Sequence, residues 1–255
     1  KETPAALGKH KLIDFNSYTL FSLAKETGFD ADISKIAITR KELEEIVSEA
    51  TGSYDMIMIN AGSSVGREDY TEGVIKDLGK LVFHGVSMMP GKPVMFGVIN
   101  QKPVFGIPGY PVSAVLCFET FIKPLYEKMT NSTCYRKHIT CITPYKIHSR
   151  IGIEEVIRVN LIAAQEKYYA IVLPRGASIF SSIAYADGLI RIPEQVEGYN
   201  ENEQVTCELL IEEERLKKRI HIVGSHDLSI NVLRNIIKNR HPGIDIISTH
   251  TGSLS

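Results

Sequence analysis

The chain has 255 residues, enough for two domains with real cores, and its 29 Lys and Arg against 30 Asp and Glu leave a net charge near zero. That balance excludes a general binder of nucleic acid or anionic membrane, whose affinity rests on a basic excess. No apolar run of the sequence is long enough to span a bilayer, and no signal peptide is expected. The cysteines, Cys117, Cys134, Cys141 and Cys207, lack C-x-x-C spacing and read as buried free thiols of a reducing compartment, so a cytoplasmic protein is expected. The chain opens on Lys1 rather than Met and stops at Ser255 just after a Gly-Ser pair, so both ends are expected to be cuts in a longer protein.

In chain order, a polar lead is followed by a helix over Asp14 to Thr27, with Asp14 or Asn16 as N-cap and Gly28 as C-terminal cap. A short strand is expected at Ile33 to Thr39. A helix at Arg40 to Thr51 places Leu43, Ile46, Val47 and Ala50 on one face. The apolar run Met56 to Ile59 has the pattern of a strand buried on both faces. Asn60 ends it, and a loop of small residues, Gly62, Ser63, Ser64 and Gly66, leads to a helix from Thr71 to Leu78. Strands follow at Leu81 to Met88 and Val94 to Val98. Asn100-Gln-Lys102 turns the chain into a strand at Pro103 to Ile107, and a long apolar helix runs from Val112 to about Lys128. This alternation predicts a layered α/β domain with a mainly parallel sheet over residues 1–130. Residues 131–212 carry short strand-like runs separated by Gly, Pro, Asn and Asp, the pattern of a small barrel or sandwich. The strands are expected at Lys137 to Ile142, Glu155 to Ile162, Tyr168 to Leu173, Gly188 to Ile192 and Gln204 to Leu210. The charged run Glu212 to Arg219 reads as a solvated hinge. Residues 219–255 read as strand, amphipathic helix and strand, the first unit of a third domain too short to fold alone.

Three loops carry candidate chemistry. In Ala61 to Asp69, backbone N–H groups and the Ser63 and Ser64 hydroxyls suit an oxyanion. A carboxylate beside a phosphate is repulsive unless a divalent metal lies between them, so Asp69 reads as a Mg²⁺ ligand or general base, or else as a helix residue favoured by the dipole. In Pro90-Gly-Lys-Pro93, Lys92 is stiffly presented and can serve an oxyanion as a point charge; the plainer reading is a surface turn. In Gly106 to Ser113, Pro111 near the first helical position, with N–H groups facing the loop, reads as an anion site or as an ordinary helix entry. Ser225-His226-Asp227 spells a triad in letters, but neighbours in sequence cannot take triad geometry. His84, His138 and His148 have no metal-ligand spacing.

Asp14-Phe-Asn-Ser-Tyr18, Ala61-Gly-Ser-Ser-Val-Gly-Arg-Glu-Asp-Tyr70, Pro90-Gly-Lys-Pro93 and Gly106-Ile-Pro-Gly-Tyr-Pro-Val-Ser113 together resemble the signatures of the molybdopterin molybdenumtransferases, the MoeA type, similar to the E-domain of gephyrin. Glu154-Glu-Val-Ile-Arg158 and Ala184 to Pro193 resemble that family's C-terminal domain, so the likeness runs from about Lys1 to Leu210. The resemblance implies a three-layer α/β/α molybdopterin-binding domain followed by a small β-barrel. It implies an enzyme that binds adenylylated molybdopterin, hydrolyses the adenylate with Mg²⁺ and inserts molybdate. By matching motif, Asp69 is the catalytic acidic residue and metal ligand. Gly62, Ser63, Ser64, Lys92, Pro108 and Pro111 line the pterin-phosphate site, and Arg158 and Ser178 bind molybdate.

A homodimer is implied as well, with a partner subunit completing the cleft, and a molybdopterin adenylyltransferase is a further possible partner. Residues 219–255 resemble the opening of a periplasmic-binding-protein-like domain, with Gly224 and Ser225 as a ligand loop or a plain helix cap. Two departures stand out. Met89 occupies a position where members commonly have lysine, and Tyr110 stands where asparagine is usual. Two alternatives are carried: a non-catalytic molybdopterin- or oxoanion-binding module, and a molybdopterin adenylyltransferase, against which the Pro90 loop and the trailing β domain argue.

Overall fold

In the computed structural model, residues 14–60, 68–133, 135–224, 227–241 and 244–250 are described. The chain divides into two compact units, one comprising Lys1–Tyr135, Gly152–Val156 and Arg175–Ile183, the other Arg136–Ile151, Ile157–Pro174 and Ala184–Ser255.

In the first unit, helix α1 (Asn16–Thr27) starts where the Asp14 carboxylate accepts from the Ser17 N–H at 3.1 Å and the Ser17 hydroxyl at 2.5 Å. That satisfies a first-turn donor the helix itself cannot. The helix ends at Gly28, whose φ of 107° is left-handed and costs glycine nothing. The stretch expected as a strand at Ile33 to Thr39 is irregular, with Ile33, Ile36 and Ile38 exposed. A strand is held extended by a paired neighbour, and none of the described strands pairs with it. Helix α2 (Arg40–Ser53) is closed at its start by a reciprocal capping box between Thr39 and Glu42.

Strand β1 (Ile57–Asn60), helix α3 (Glu68–Leu78) and strands β2 (Lys80–His84), β3 (Met88–Met89), β4 (Met95–Ile99) and β5 (Lys102–Ile107) follow. The single strand expected from Leu81 to Met88 is two, because the chain turns out of the ladder at Gly85, where φ is 90°. The sheet order is β1-β5-β4-β2, with β1 parallel to β5 and β4 antiparallel to both its neighbours. Strands β1, β5 and β2 therefore share one direction. The β4–β5 hairpin turns on Asn100 and Gln101, at φ 50° and 64°, the pair of left-handed residues that matches strand twist.

One face of this sheet is covered by α2 and α3 over a core of Val47, Ile59, Val74, Ile75, Ile99 and Val104. Along β5 the next residue, Phe105, points to the opposite face, where it meets Phe96 at 4.9 Å. On that side α1 packs on helix α4 (Pro111–Cys117) and α4 on β5. The result is three layers, α/β/α. The long helix expected from Val112 to Lys128 is α4, a π turn (Phe118–Ile122) and α5 (Lys123–Thr130) in sequence. Pro124 accounts for the widened turn: it lacks an N–H and its ring would strike the carbonyl four residues back.

The second unit contains β6 (His138–Ile142), β7 (Ile147–His148), most of β8 (Glu154–Ala164), β9 (Lys167–Val172), the end of helix α6 (Ser181–Ala184), β10 (Gly188–Ile192), β11 (Gly198–Tyr199) and β12 (Gln204–Leu209). The sheet runs β10-β12-β6-β9-β8, and β10 also pairs with β8. That closure makes it a barrel rather than a sandwich. Its interior is Cys141, Ile157, Val159, Leu161, Ile190 and Cys207, among others. Cys117, Cys141 and Cys207 are buried and unpaired, while Cys134 lies outside the described residues.

The expected hinge at Glu212 to Arg219 is instead part of this unit. Helix α7 (Glu213–Lys217) inserts Leu216, 1% exposed, into the barrel core. Glu213 accepts from the Tyr168 hydroxyl at 2.6 Å and pairs with Lys137. The Lys137 hydrogen bond, then that of Tyr168, holds the Glu213 carboxyl below the usual range. Burial, then the bond to Glu213, pushes Tyr168 up to about 12. Charged letters alone concealed one apolar residue in the right place. Strand β13 (Arg219–Gly224), helix α8 (Ser229–Arg240) and strand β14 (Asp245–His250) complete the chain, with β13 and β14 parallel.

Candidate functional site

The register of the first unit brings the ends of β1 and β5 and the start of β4 to one edge. Asn60 at the end of β1 lies opposite Ile107 at the end of β5. Strand β4 begins at Met95, opposite Gly106 on one side and His84 on the other. The loops after β5 and before β4 therefore meet the edge where β1 ends, at the carboxyl ends of the parallel strands, the usual ligand edge of an α/β sheet.

Hydrogen bonds tie the start of α1 to two of these segments. Asn60 Nδ2 donates to Asp14 at 3.3 Å, and Asn16 Nδ2 donates to the Gly109 carbonyl at 2.7 Å. The start of α1 is thus pinned to the end of β1 and to the loop after β5. The Asp14 oxygens serve Asn60 and Ser17 together, so Asp14 acts as a positioning residue. Asn60 Oδ1 is enclosed and has no hydrogen-bond partner among the described residues. An amide oxygen of that kind at this edge is a hard donor that suits a cation such as Mg²⁺.

The lysine loop is held from beneath. Gly91 sits at φ 120°, where a side chain would be strained, and a Cβ there would fall 2.5 Å from Met88 Cε and 3.1 Å from Cys117 Sγ, so both would have to give way. The Cys117 thiol donates to the Gly91 carbonyl at 3.7 Å, and burial pushes that thiol up to about 12. Val94 N–H donates to Gly91 and Val86 N–H to the Lys92 carbonyl, at 3.1 and 2.9 Å. Pro90 and Gly91 are buried beneath an exposed Lys92, which leaves the ammonium in solvent on a fixed backbone.

The loop after β5 offers fewer donors than its sequence suggests. Pro108 and Pro111 are both buried, and Pro111 opens α4. Pro111 has no N–H, the Val112 N–H is taken by the Ala177 carbonyl at 3.1 Å and the Ala114 N–H by Tyr110 at 2.9 Å. In the first turn at most Ser113 keeps an N–H open to an anion. The Ala177 contact had no signal in sequence, because the two residues are far apart along the chain.

Of the other site residues read from sequence, Asp69 is the second residue of α3. Its side chain, with Gly62, Ser63 and Ser64, lies outside the described residues. Ser178 is exposed in the first unit. Arg158 is in the second unit, 1% exposed, and donates from Nη2 to the Pro174 carbonyl at 2.7 Å. His84 meets Glu72 at 3.1 Å, and His138 and His148 are on the surface. Among the described residues, no three His, Cys, Asp or Glu gather as a metal cage, and no helix is long and apolar enough to cross a membrane. Magnesium commonly takes only one or two carboxylates plus substrate phosphate oxygens, so a cage is not required for it.

Two family descriptions match the chain in order: "Probable molybdopterin binding domain" over residues 5–128 and "MoeA C-terminal region (domain IV)" over residues 141–210. A Methanocaldococcus jannaschii protein named for molybdopterin biosynthesis is 37% identical over 78% of this chain and 48% of its own length. The molybdopterin molybdenumtransferase of Haemophilus influenzae is 27% identical over 59% of this chain and 38% of its own. The crystal structure of a molybdopterin biosynthesis MoeA protein from Pyrococcus horikoshii superposes with a TM-score of 0.66 at 29% identity, covering 80% of this chain and 49% of that one. The chain spans about half the length, or less, of these relatives. With both regions matched in order and the same fold in a solved relative, the chain belongs to the MoeA family of molybdopterin molybdenumtransferases.

Proposed function

We propose that this chain supplies the molybdopterin-binding core of an enzyme of molybdenum-cofactor synthesis. The enzyme takes adenylylated molybdopterin and molybdate and releases AMP with the help of Mg²⁺. The observation that carries this reading is the gathering of the Asp14, Asn60, Lys92 and Gly109 segments at one carboxyl edge of the parallel strands. In it, Lys92 is a point charge for a phosphate, and Asp69 is the metal-holding or proton-accepting carboxylate. Gly62, Ser63 and Ser64 contribute backbone and hydroxyl donors, while Pro108 and Pro111 shape the opposite wall. Mg²⁺ would supply Lewis-acid charge at the phosphate oxygens, held by Asp69 with Asn60 Oδ1 in reach of the same edge. Arg158 and Ser178 are the proposed molybdate contacts. The Arg158 guanidinium is buried and donates to the Pro174 carbonyl at 2.7 Å. A cytoplasmic homodimer working beside a molybdopterin adenylyltransferase belongs to the same proposal. The parallel β13-α8-β14 unit supports reading residues 219–255 as the opening of a periplasmic-binding-protein-like domain.

The test is AMP release by the complete protein with adenylylated molybdopterin, Mg²⁺ and molybdate, beside Asp69→Asn. Release that depends on molybdate and is lost in the variant is the expected result. One observation favours the binding-only reading: Met89, 37% exposed at the head of the lysine loop, puts no cation where the family commonly has one. Tight pterin binding with no release from either protein would sink the transferase and leave that module.

A further inference from the structure

Three aromatic rings stand in solvent at the edge described above. Phe15 is 43% exposed, Tyr110 62% and Phe180 40%. Two hydrogen bonds tether their segments: the side chain of Asn16, next to Phe15, donates to the carbonyl of Gly109, next to Tyr110; and the N–H of Val112, two residues past Tyr110, donates to the carbonyl of Ala177, three before Phe180. The Phe15 and Phe180 rings meet edge to face at 5.7 Å. All three belong to the first unit, and none comes from the loop after β1. Single exposed apolar side chains need no explanation, but an exposed ring pair with a third exposed ring on a tethered segment does.

We propose that Phe15, Tyr110 and Phe180 form a stacking platform for the planar nitrogen heterocycle of the ligand, purine or pterin; this rests on reading the same edge as a molybdopterin and adenylate site. Ring faces, unlike branched aliphatic side chains, give a flat surface on which any heterocycle can stack without reading its edge. The exposed ammonium of Lys92, on a loop that meets the same strand ends, suits the phosphate that accompanies the heterocycle. The location is the ligand edge of the sheet, which favours a small planar ligand over a protein partner as occupant.

The experiment is calorimetric binding of adenosine, 6-carboxypterin and ribose 5-phosphate to the complete protein and to Tyr110→Ala, Tyr110→Leu and Tyr110→Phe, with circular dichroism to show the fold intact. The substitutions sit on an exposed side chain, so folding is preserved. Tyr110→Ala and Tyr110→Leu are expected to weaken the heterocycle about ten-fold. Tyr110→Phe keeps it, and ribose 5-phosphate is unaffected throughout. Whichever of adenosine and 6-carboxypterin shows the loss names the ring. The platform is overturned if the unmodified protein holds neither heterocycle, or if the affinities are equal in all variants. It is equally overturned if Tyr110→Ala changes only the mass seen by light scattering, which would make the patch a contact between copies. Intact heterocycle binding with no AMP release would remove the catalytic reading and leave the platform standing.

Discussion

At the open end of the sheet, the Asp14 carboxylate accepts from Ser17 and Asn60, Asn16 donates to the Gly109 carbonyl, and Lys92 faces solvent; none of these bonds is an ion pair. In the barrel, Asp187 and Arg219 are an ion pair whose side chains are 2% and 4% exposed, and Asp187 also accepts from the Leu161 N–H at 2.8 Å. The contrast follows from architecture. A sheet whose strands end together leaves a polar rim where a ligand can replace water at little desolvation cost. A barrel has no free edge, so a charge that enters its wall must find its partner there. The first arrangement is suited to binding, the second to holding β13 against the barrel.

That contrast can be broken by measurement. Asp187→Ala removes one member of a buried pair and is expected to cost about 3–5 kcal/mol in urea unfolding. Leu216→Ala tests whether α7 belongs to the barrel core, with an expected cost of about 2–5 kcal/mol; a solvated hinge would show almost none. Asn16→Ala deletes a single neutral hydrogen bond at the sheet edge and is expected to cost only about 1 kcal/mol in stability. Its larger effect should be on pterin affinity, because it frees Gly109 and the loop that carries Tyr110. If Asn16→Ala unfolds the protein as readily as Asp187→Ala, the division between a binding rim and a structural wall is wrong.

Much of the architecture was legible in the residues themselves. Gly28 and the Asn100-Gln101 turn announce their elements through local backbone chemistry. The alternating strands of residues 138–209 announce a small β unit. The failures share a cause. Ile33 to Thr39 has strand-forming letters but no paired neighbour, the run after Leu81 breaks at Gly85, and Glu213 to Lys217 looks solvated while Leu216 is buried.

At the candidate site, the motifs and the identity of Lys92, Asp14 and Tyr110 were readable in sequence, because Gly, Pro and charged residues mark loops by their own chemistry. Only the tertiary structure decided that the loops share an edge, that Ala177 takes the Val112 N–H, and that Cys117 and Gly91 lock the lysine turn. The same holds for Arg158 and Asp187, whose burial among barrel strands changes what their charges cost. Local propensity acts over a few residues. Strand register, burial and the pairing of donors depend on segments dozens of residues apart, and no single stretch of sequence contains them.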